Sequence, residues 1–346
     1  RTALETAAAA IEAYHRQQVP ADVVVDTDGL SVRGIHRPVD RAGCYVPGGR
    51  ALYPSTVLMT AVPARGAGVD EVVLCVPPGL DGRVATATLA AAAIAGVDEV
   101  FAVGGAQAIG ARAYGTATVR PVDVIVGPGN VYVAIAKQLV AGTVGVPSSF
   151  AGPSEVVVIA DGSSPAAYAA VDVILQAEHG PDGLAWLVTW DTAVADEVSA
   201  EVERLVAEAP RRDDIESTLR RSGHAVVCAS PEQAVAVANA IAPEHLELQV
   251  ADPETMLPLV RHAGAVFCGP WSPASIGDYI AGPSHVLPTN GTARFASALT
   301  VRDFMKDLHV VTASQPAFEA LGPHVVTLAE AEGLDAHAAS IRIRMA

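Results

Sequence analysis

The chain alternates between stretches whose apolar residues follow a helical period and short, continuous apolar runs bounded by glycine. Residues 3–17 have helical character, as does Pro231–Ile241, which is rich in good helix formers. The sequence Gly-Val-Asp-Glu-Val occurs at Gly68–Val72 and again at Gly96–Val100. Each copy follows an alanine-containing, helix-like stretch and opens an apolar run, Val72–Val76 and Val100–Val103. Val122–Val126 echoes them ahead of Gly127. A helix, a glycine turn and a buried strand repeating at this interval predict successive βα units, hence a parallel sheet with right-handed crossovers.

A second series of apolar runs covers Glu155–Ile159, Leu184–Thr189, Ala225–Cys228, His245–Val250 and Ala265–Cys268, with helices between. The expected fold is α/β: two doubly wound, Rossmann-like units with parallel sheets, the first ending near Gly152 and Pro153. After Thr300 the strands thin out. His324–Arg344 reads as two short helices around Gly333, a small C-terminal helical domain.

Composition supports this picture. A chain of 346 residues, 51% hydrophobic, is long enough for more than one core. Only 5% of residues are aromatic, while Ala, Val and Gly abound, as suits helices packed tightly on parallel sheets. The formal charge of −16 argues against nucleic acid as a partner. No apolar run is long enough to span a bilayer and no signal peptide opens the chain, so the cytoplasm is the expected compartment and no membrane partner is expected. Because the chain begins at Arg1 and enters a helix directly, it is expected to lack an N-terminal part. Cys44, Cys75, Cys228 and Cys268 are scattered without a Cys-x-x-Cys pair and read as small buried thiols.

Candidate chemistry concentrates in a few segments. The turns Pro47-Gly48-Gly49, Gly104-Gly105 and Gly127-Pro128-Gly129-Asn130 fall at strand ends before helices, where open α/β sheets bind ligands. Any one reads as plain turn chemistry. Three in one domain, beside Tyr45, Gln107 and Asn130, point to a nucleotide site without the standard glycine fingerprint. Gln176 and His179 stand three apart at the end of the helix-like run Ala166–Ala177, so both can face one metal ion. Alone, that spacing is a weak signal and reads as a surface helix end. Glu244 and His245 follow Pro243 at a strand start, where a bend lets neighbours reach one site. Both can move protons near neutral pH after modest shifts; the bland reading is a solvated Glu beside a packed His. The polar stretch from Trp271 to Pro288 reads as a loop carrying Asp278, Tyr279 and His285, with Asp278 a hard carboxylate ligand. Glu332 to His337 opens the last helix, where His337 is by default solvated.

Taken together and in order, these segments resemble the histidinol dehydrogenase family. The resemblance runs from about Arg37 to Arg342 through nine collinear stretches: Tyr45–Gly49, Gly104–Ile109, Gly127–Asn130, Ala151–Glu155, Gln176–Gly180, Pro243–Leu246, Gly277–Tyr279, His285–Thr289 and Glu332–His337. It implies a zinc ion held by Gln176, His179, Asp278 and His337, and an acid–base pair of Glu244 and His245. It further implies substrate contacts from Ser154, Gln176, His179, His245, Asp278, Tyr279, His285, Glu332 and His337, and NAD contacts from Tyr45, Gln107 and Asn130. The implied reaction oxidises L-histidinol through L-histidinal to L-histidine, in a homodimer whose C-terminal segment reaches the partner's site. The expected division places the zinc and acid–base site on residues 1–45 with 154–300, the NAD side on 46–153, and a dimer arm on 301–346. Ser148 stands where the family more often has Asp. Two rival readings are a zinc hydrolase in which Glu244 activates metal-bound water, and a non-catalytic binding module; the first turns over without nicotinamide and the second has no need of adjacent Glu and His.

Overall fold

The structure is a computed structural model and describes residues 1–48, 52–148, 152–178 and 183–346. The chain opens with helix α1 (Thr2–Arg16) and strands β1 (Val23–Thr27), β2 (Leu30–Pro38) and β3 (Arg41–Tyr45). There follow α2 (Pro54–Gly66), β4 (Glu71–Cys75), α3 (Thr86–Ile94), β5 (Glu99–Phe101), α4 (Gly105–Tyr114), β6 (Val124–Val126) and α5 (Val131–Val140). The second series is β7 (Glu155–Ala160), α6 (Ala166–Ala177), β8 (Leu184–Thr189), α7 (Thr192–Glu208), α8 (Arg212–Ser222), β9 (Gly223–Val227), α9 (Pro231–Ile241) and β10 (His245–Gln249). The chain closes with α10 (Pro253–Met256), β11 (Ala265–Cys268), α11 (Ala274–Tyr279), β12 (Met305–Ala313), α12 (Gln315–Ala331) and α13 (Asp335–Met345).

Two compact units result. The larger comprises Arg1–Gln18 with Val39–Phe304, the smaller Val19–Pro38 with Met305–Ala346. The larger unit holds the two expected parallel sheets, in strand order β5-β4-β3-β6 and β11-β10-β7-β8-β9. Both are doubly wound: β3 and β7 start their sheets, and the order reverses between β3 and β6 and between β7 and β10. Strand β7 shows why these runs are legible. Val156, Val157, Val158 and Ile159 are each fully buried, covered by helices on both faces. Burying each such side chain is worth roughly 1.5–3 kcal/mol.

The smaller unit holds the expected C-terminal helices α12 and α13 and also an antiparallel sheet, β1-β2-β12, which the apolar pattern did not announce. All five residues of β1 are exposed, and β12 is exposed or half-buried throughout. With no buried face there is no two-residue alternation to read.

Candidate functional site

The carboxyl ends of the first sheet and the amino ends of the second meet at a cleft of about 230 Å³. Pro47, Pro128 and Gly129 line it from the first sheet, and Ser154, Glu244 and His245 from the second. Gly127, just after β6, has φ +105°, and a Cβ there would lie 2.0 Å from the Tyr45 carbonyl oxygen. Only glycine lets the β3 and β6 ends approach this closely.

Helix α9 ends at Ala242 in the left-handed conformation, φ 55°, and Pro243 then starts the chain towards β10. This bend sets Glu244 and His245 side by side, both buried, with His245 Nδ1 3.5 Å from Glu244 Oε2. His245 Nδ1 lies 3.1 Å from the Glu155 carbonyl and 2.7 Å from Gln176 Nε2. A protonated Nδ1 donates to the carbonyl, and an unprotonated one accepts from the amide, so either tautomer is held. Nε2 stands 3.3 Å from Asp278 Oδ1, and Phe267 stacks on the ring. Burial opposes the charged imidazolium, but Glu244 and then Asp278 outweigh it, raising the His245 pKa well above the ordinary value.

Gln176 reaches the cleft because α6 returns towards the amino end of the second sheet. Its Ala169, Ala170, Val173, Ile174 and Ala177 are buried in the core, and Gln176 is 1% exposed. Gln176 Oε1 is buried and has no hydrogen-bond partner among the described residues. The stretch expected to be a loop contains a short helix, α11, which carries Asp278 and Tyr279 into the cleft lining. At six residues it is too short to show a helical period. His285 donates from Nδ1 to the Asp278 carbonyl (2.8 Å) and accepts at Nε2 from Thr56 Oγ1 (3.0 Å) on α2. Burial lowers its pKa, in keeping with a neutral ring that both accepts and donates.

Of the proposed nucleotide contacts, Tyr45 is buried and its hydroxyl accepts from the Gly105 N–H (3.0 Å), joining two turns. Asn130 caps α5, its Oδ1 accepting from the N–H groups of Tyr132 and Val133, both at 3.1 Å; such caps are worth about 1 kcal/mol. Gln107 is exposed on the first turns of α4. His179 lies outside the described residues, as do Gly49, Ala151 and Gly180 of the motifs. Glu332 and His337 are exposed on the smaller unit, Glu332 capping α12 and His337 on α13. Among the described residues no three His, Cys, Asp or Glu side chains cluster as a metal site. Cys44, Cys75 and Cys228 are buried, and burial pushes the Cys44 thiol up to about 11.

Several site neighbours escaped the sequence reading. Glu155 opens β7 and is 5% exposed; burial, opposed by the Asn290 N–H, pushes its pKa up to about 7. Lys137 is 3% exposed and donates to the carbonyls of Gly127 and Ser148. Its signal was available, since Lys137 falls on the buried stripe Val133, Ala134, Lys137, Val140 of α5. Asp172 and Glu247 form a buried acidic pair bridged by Gln249 Nε2, at 2.6 and 3.0 Å.

Paired open α/β sheets with titratable groups gathered where they meet define a two-sheet enzyme fold. That fold is shared with an acetylating aldehyde dehydrogenase from Geobacillus thermoglucosidasius, at 16% identity and TM-score 0.58, covering 89% of this chain and 82% of the other. More particularly, the histidinol dehydrogenase family model matches residues 1–345, and the chain belongs to that family of oxidoreductases. Histidinol dehydrogenase from a Synechococcus species is 52% identical over 335 residues, covering 96% of this chain and 77% of that one. The protein of that name from Symbiobacterium thermophilum is 51% identical over 350 residues, covering 100% and 79%. The crystal structure of histidinol dehydrogenase from Elizabethkingia anophelis superposes with TM-score 0.95 at 37% identity, covering 99% of this chain and 79% of the other. The family fits histidine biosynthesis. No helix among the described residues is long and apolar enough to cross a membrane.

Proposed function

We propose that the chain oxidises L-histidinol through L-histidinal to L-histidine, using zinc and two molecules of NAD. The observation that carries this reading is the cleft itself, where Glu244 and His245 adjoin Gln176 and Asp278. The donor set suits a zinc ion: Gln176 presents a buried amide oxygen without a partner among the described residues, and Asp278 lines the same cleft with a carboxylate. Gln176 and Asp278 would hold the ion together with His179 and the partner's His337, and zinc would supply a fixed positive charge that positions the amino alcohol. NAD would accept hydride, with Tyr45, Gln107 and Asn130 at the first-sheet turns as its contacts.

The remaining work falls to the chain. His245, with Nδ1–H donating to the Glu155 carbonyl, can take the hydroxyl proton at Nε2. The flanking carboxylates stabilise the imidazolium that forms. Glu244 then activates water against the aldehyde, and His245 removes a proton again in the second oxidation. Ser154, Tyr279 and His285 line the cleft as substrate contacts. Glu332 and His337, exposed on a separate unit, would serve the partner's site in a homodimer. Incubating the protein with L-histidinol, NAD and zinc should produce NADH, with loss on chelation and recovery on adding zinc. Turnover that proceeds without NAD would instead favour a hydrolase.

A further inference from the structure

Glu244 lines two hollows. One is the cleft; the other is a smaller chamber of about 100 Å³, which also includes Lys137, Ser154 and Thr289. Ser154 and His285 line both, so the two adjoin at Glu244. The volume suits about three water molecules, and a buried water needs two to four polar partners. The chamber supplies them. Thr289 Oγ1 is buried and has no hydrogen-bond partner among the described residues. Lys137 Nζ has three N–H donors and, among the described residues, two carbonyl acceptors, Gly127 and Ser148, leaving one donor over there. Glu244 Oε2 accepts from the Glu155 N–H, while Oε1 has no hydrogen bond among the described residues.

We infer that this chamber binds water and delivers to Glu244 the molecule consumed in the second oxidation. The inference rests on the proposed function. In that step the water oxygen bonds to the aldehyde carbon while Glu244 takes one water proton and returns it to the carbonyl oxygen, giving a geminal diol. The diol gives its hydride to NAD and a hydroxyl proton to His245, leaving the carboxylic acid. Aldehyde, water and NAD are thereby converted to acid, NADH and one proton. A supply behind Glu244 keeps water available while the aldehyde and the nicotinamide occupy the cleft. It also accounts for a buried lysine and a threonine hydroxyl without a partner among the described residues, at a place where a dry, apolar filling would pack better.

Thr289→Val removes the hydroxyl at nearly constant volume. It should slow oxidation of supplied L-histidinal by about tenfold, the scale of one lost hydrogen bond in the reacting state. Oxidation of L-histidinol to the aldehyde should stay within about twofold, and Thr289→Ser should restore the second step. A high-resolution crystal structure gives a readout independent of turnover: ordered water should bridge Thr289 Oγ1, Lys137 Nζ and Glu244 in the parent protein. A dry chamber, or normal aldehyde oxidation by folded Thr289→Val, overturns the inference. Glu244→Gln separates this from failure of the function itself. If Glu244→Gln blocks the second step while Thr289→Val does not, only the chamber is wrong; if Glu244→Gln oxidises the aldehyde normally, the assignment of Glu244 falls, and the chamber with it.

Discussion

Glu155 and Glu244 hold each other through reciprocal hydrogen bonds. The Glu155 N–H donates to Glu244 Oε2 at 3.0 Å, and the Glu244 N–H donates to Glu155 Oε2 at 3.3 Å. The Asn290 N–H donates to the other Glu155 oxygen at 3.0 Å. The amino ends of β7 and β10 are thus joined at the switch point by two acids, one of them proposed as the base that activates water. Burial keeps Glu155 protonated to higher pH than an ordinary carboxyl, while the two backbone donors favour its charged form.

This pair has a consequence for stability. The Glu155 pKa is raised from 4.5 to about 7, so between those values the folded state binds more protons than the unfolded one. Its contribution is fully present below pH 4.5 and is lost as pH rises through about 7. The loss is on the order of 3 kcal/mol, from about 1.4 kcal/mol per unit. Thermal or denaturant unfolding of Glu155→Gln, followed from pH 5 to 8, should show a flatter profile than the parent protein. Parallel profiles would contradict the assignment.

The acidic pair behind the cleft makes a second prediction. Glu247 Oε1 accepts from the Ala274 N–H at 2.9 Å, at the start of the short helix that carries Asp278. Burial, and then the neighbouring Asp172, push the Glu247 pKa up, and burial raises Asp172 as well, so this pair takes up a proton at higher pH than ordinary carboxyls do. Glu247→Ala leaves the Ala274 N–H without its acceptor and should cost about 1–3 kcal/mol. Amide exchange at Ala274 should quicken in this variant and stay slow in Glu247→Gln, which keeps an acceptor. Equal exchange in both would show that Glu247 does not hold α11.

Much of the larger unit was legible because its strands are buried on both faces and read as continuous apolar runs. Helix α6 spans the expected Ala166–Ala177, since its apolar stripe begins after Pro165. Strand β12 was not legible, because neither of its faces enters a core. For the site, metal-competent residue types and motif order singled out Gln176, Asp278, Glu244 and His245, which line one cleft. Glu155 and Thr289 end two of the motif stretches, but no role was legible for either because their chemistry comes from burial: a Glu opening an apolar strand and a Thr closing a polar loop carry no local signal of it.

Zinc binding tests the proposed donor set directly. Asp278→Ala removes the only carboxylate among the proposed ligands and should weaken zinc by about tenfold or more, because a carboxylate contributes more than a neutral amide. Metal analysis of the purified variant checks this, and full stoichiometric zinc would remove Asp278 from the set. If the site is shared, co-folding Asp278→Ala with His337→Ala should restore one intact site in each mixed dimer, about half of the parent activity by simple counting. Mixed dimers without activity would assign His337 to its own chain.

The central claim is that one cleft performs two oxidations, with Glu244 needed only for the second. NADH formed per L-histidinol consumed measures it most directly. The parent protein should form two NADH per L-histidinol and release L-histidine, while Glu244→Gln should form one and accumulate L-histidinal, since an amide cannot activate water. A ratio of one in the parent protein, or of two at the parent rate in Glu244→Gln, would contradict the account.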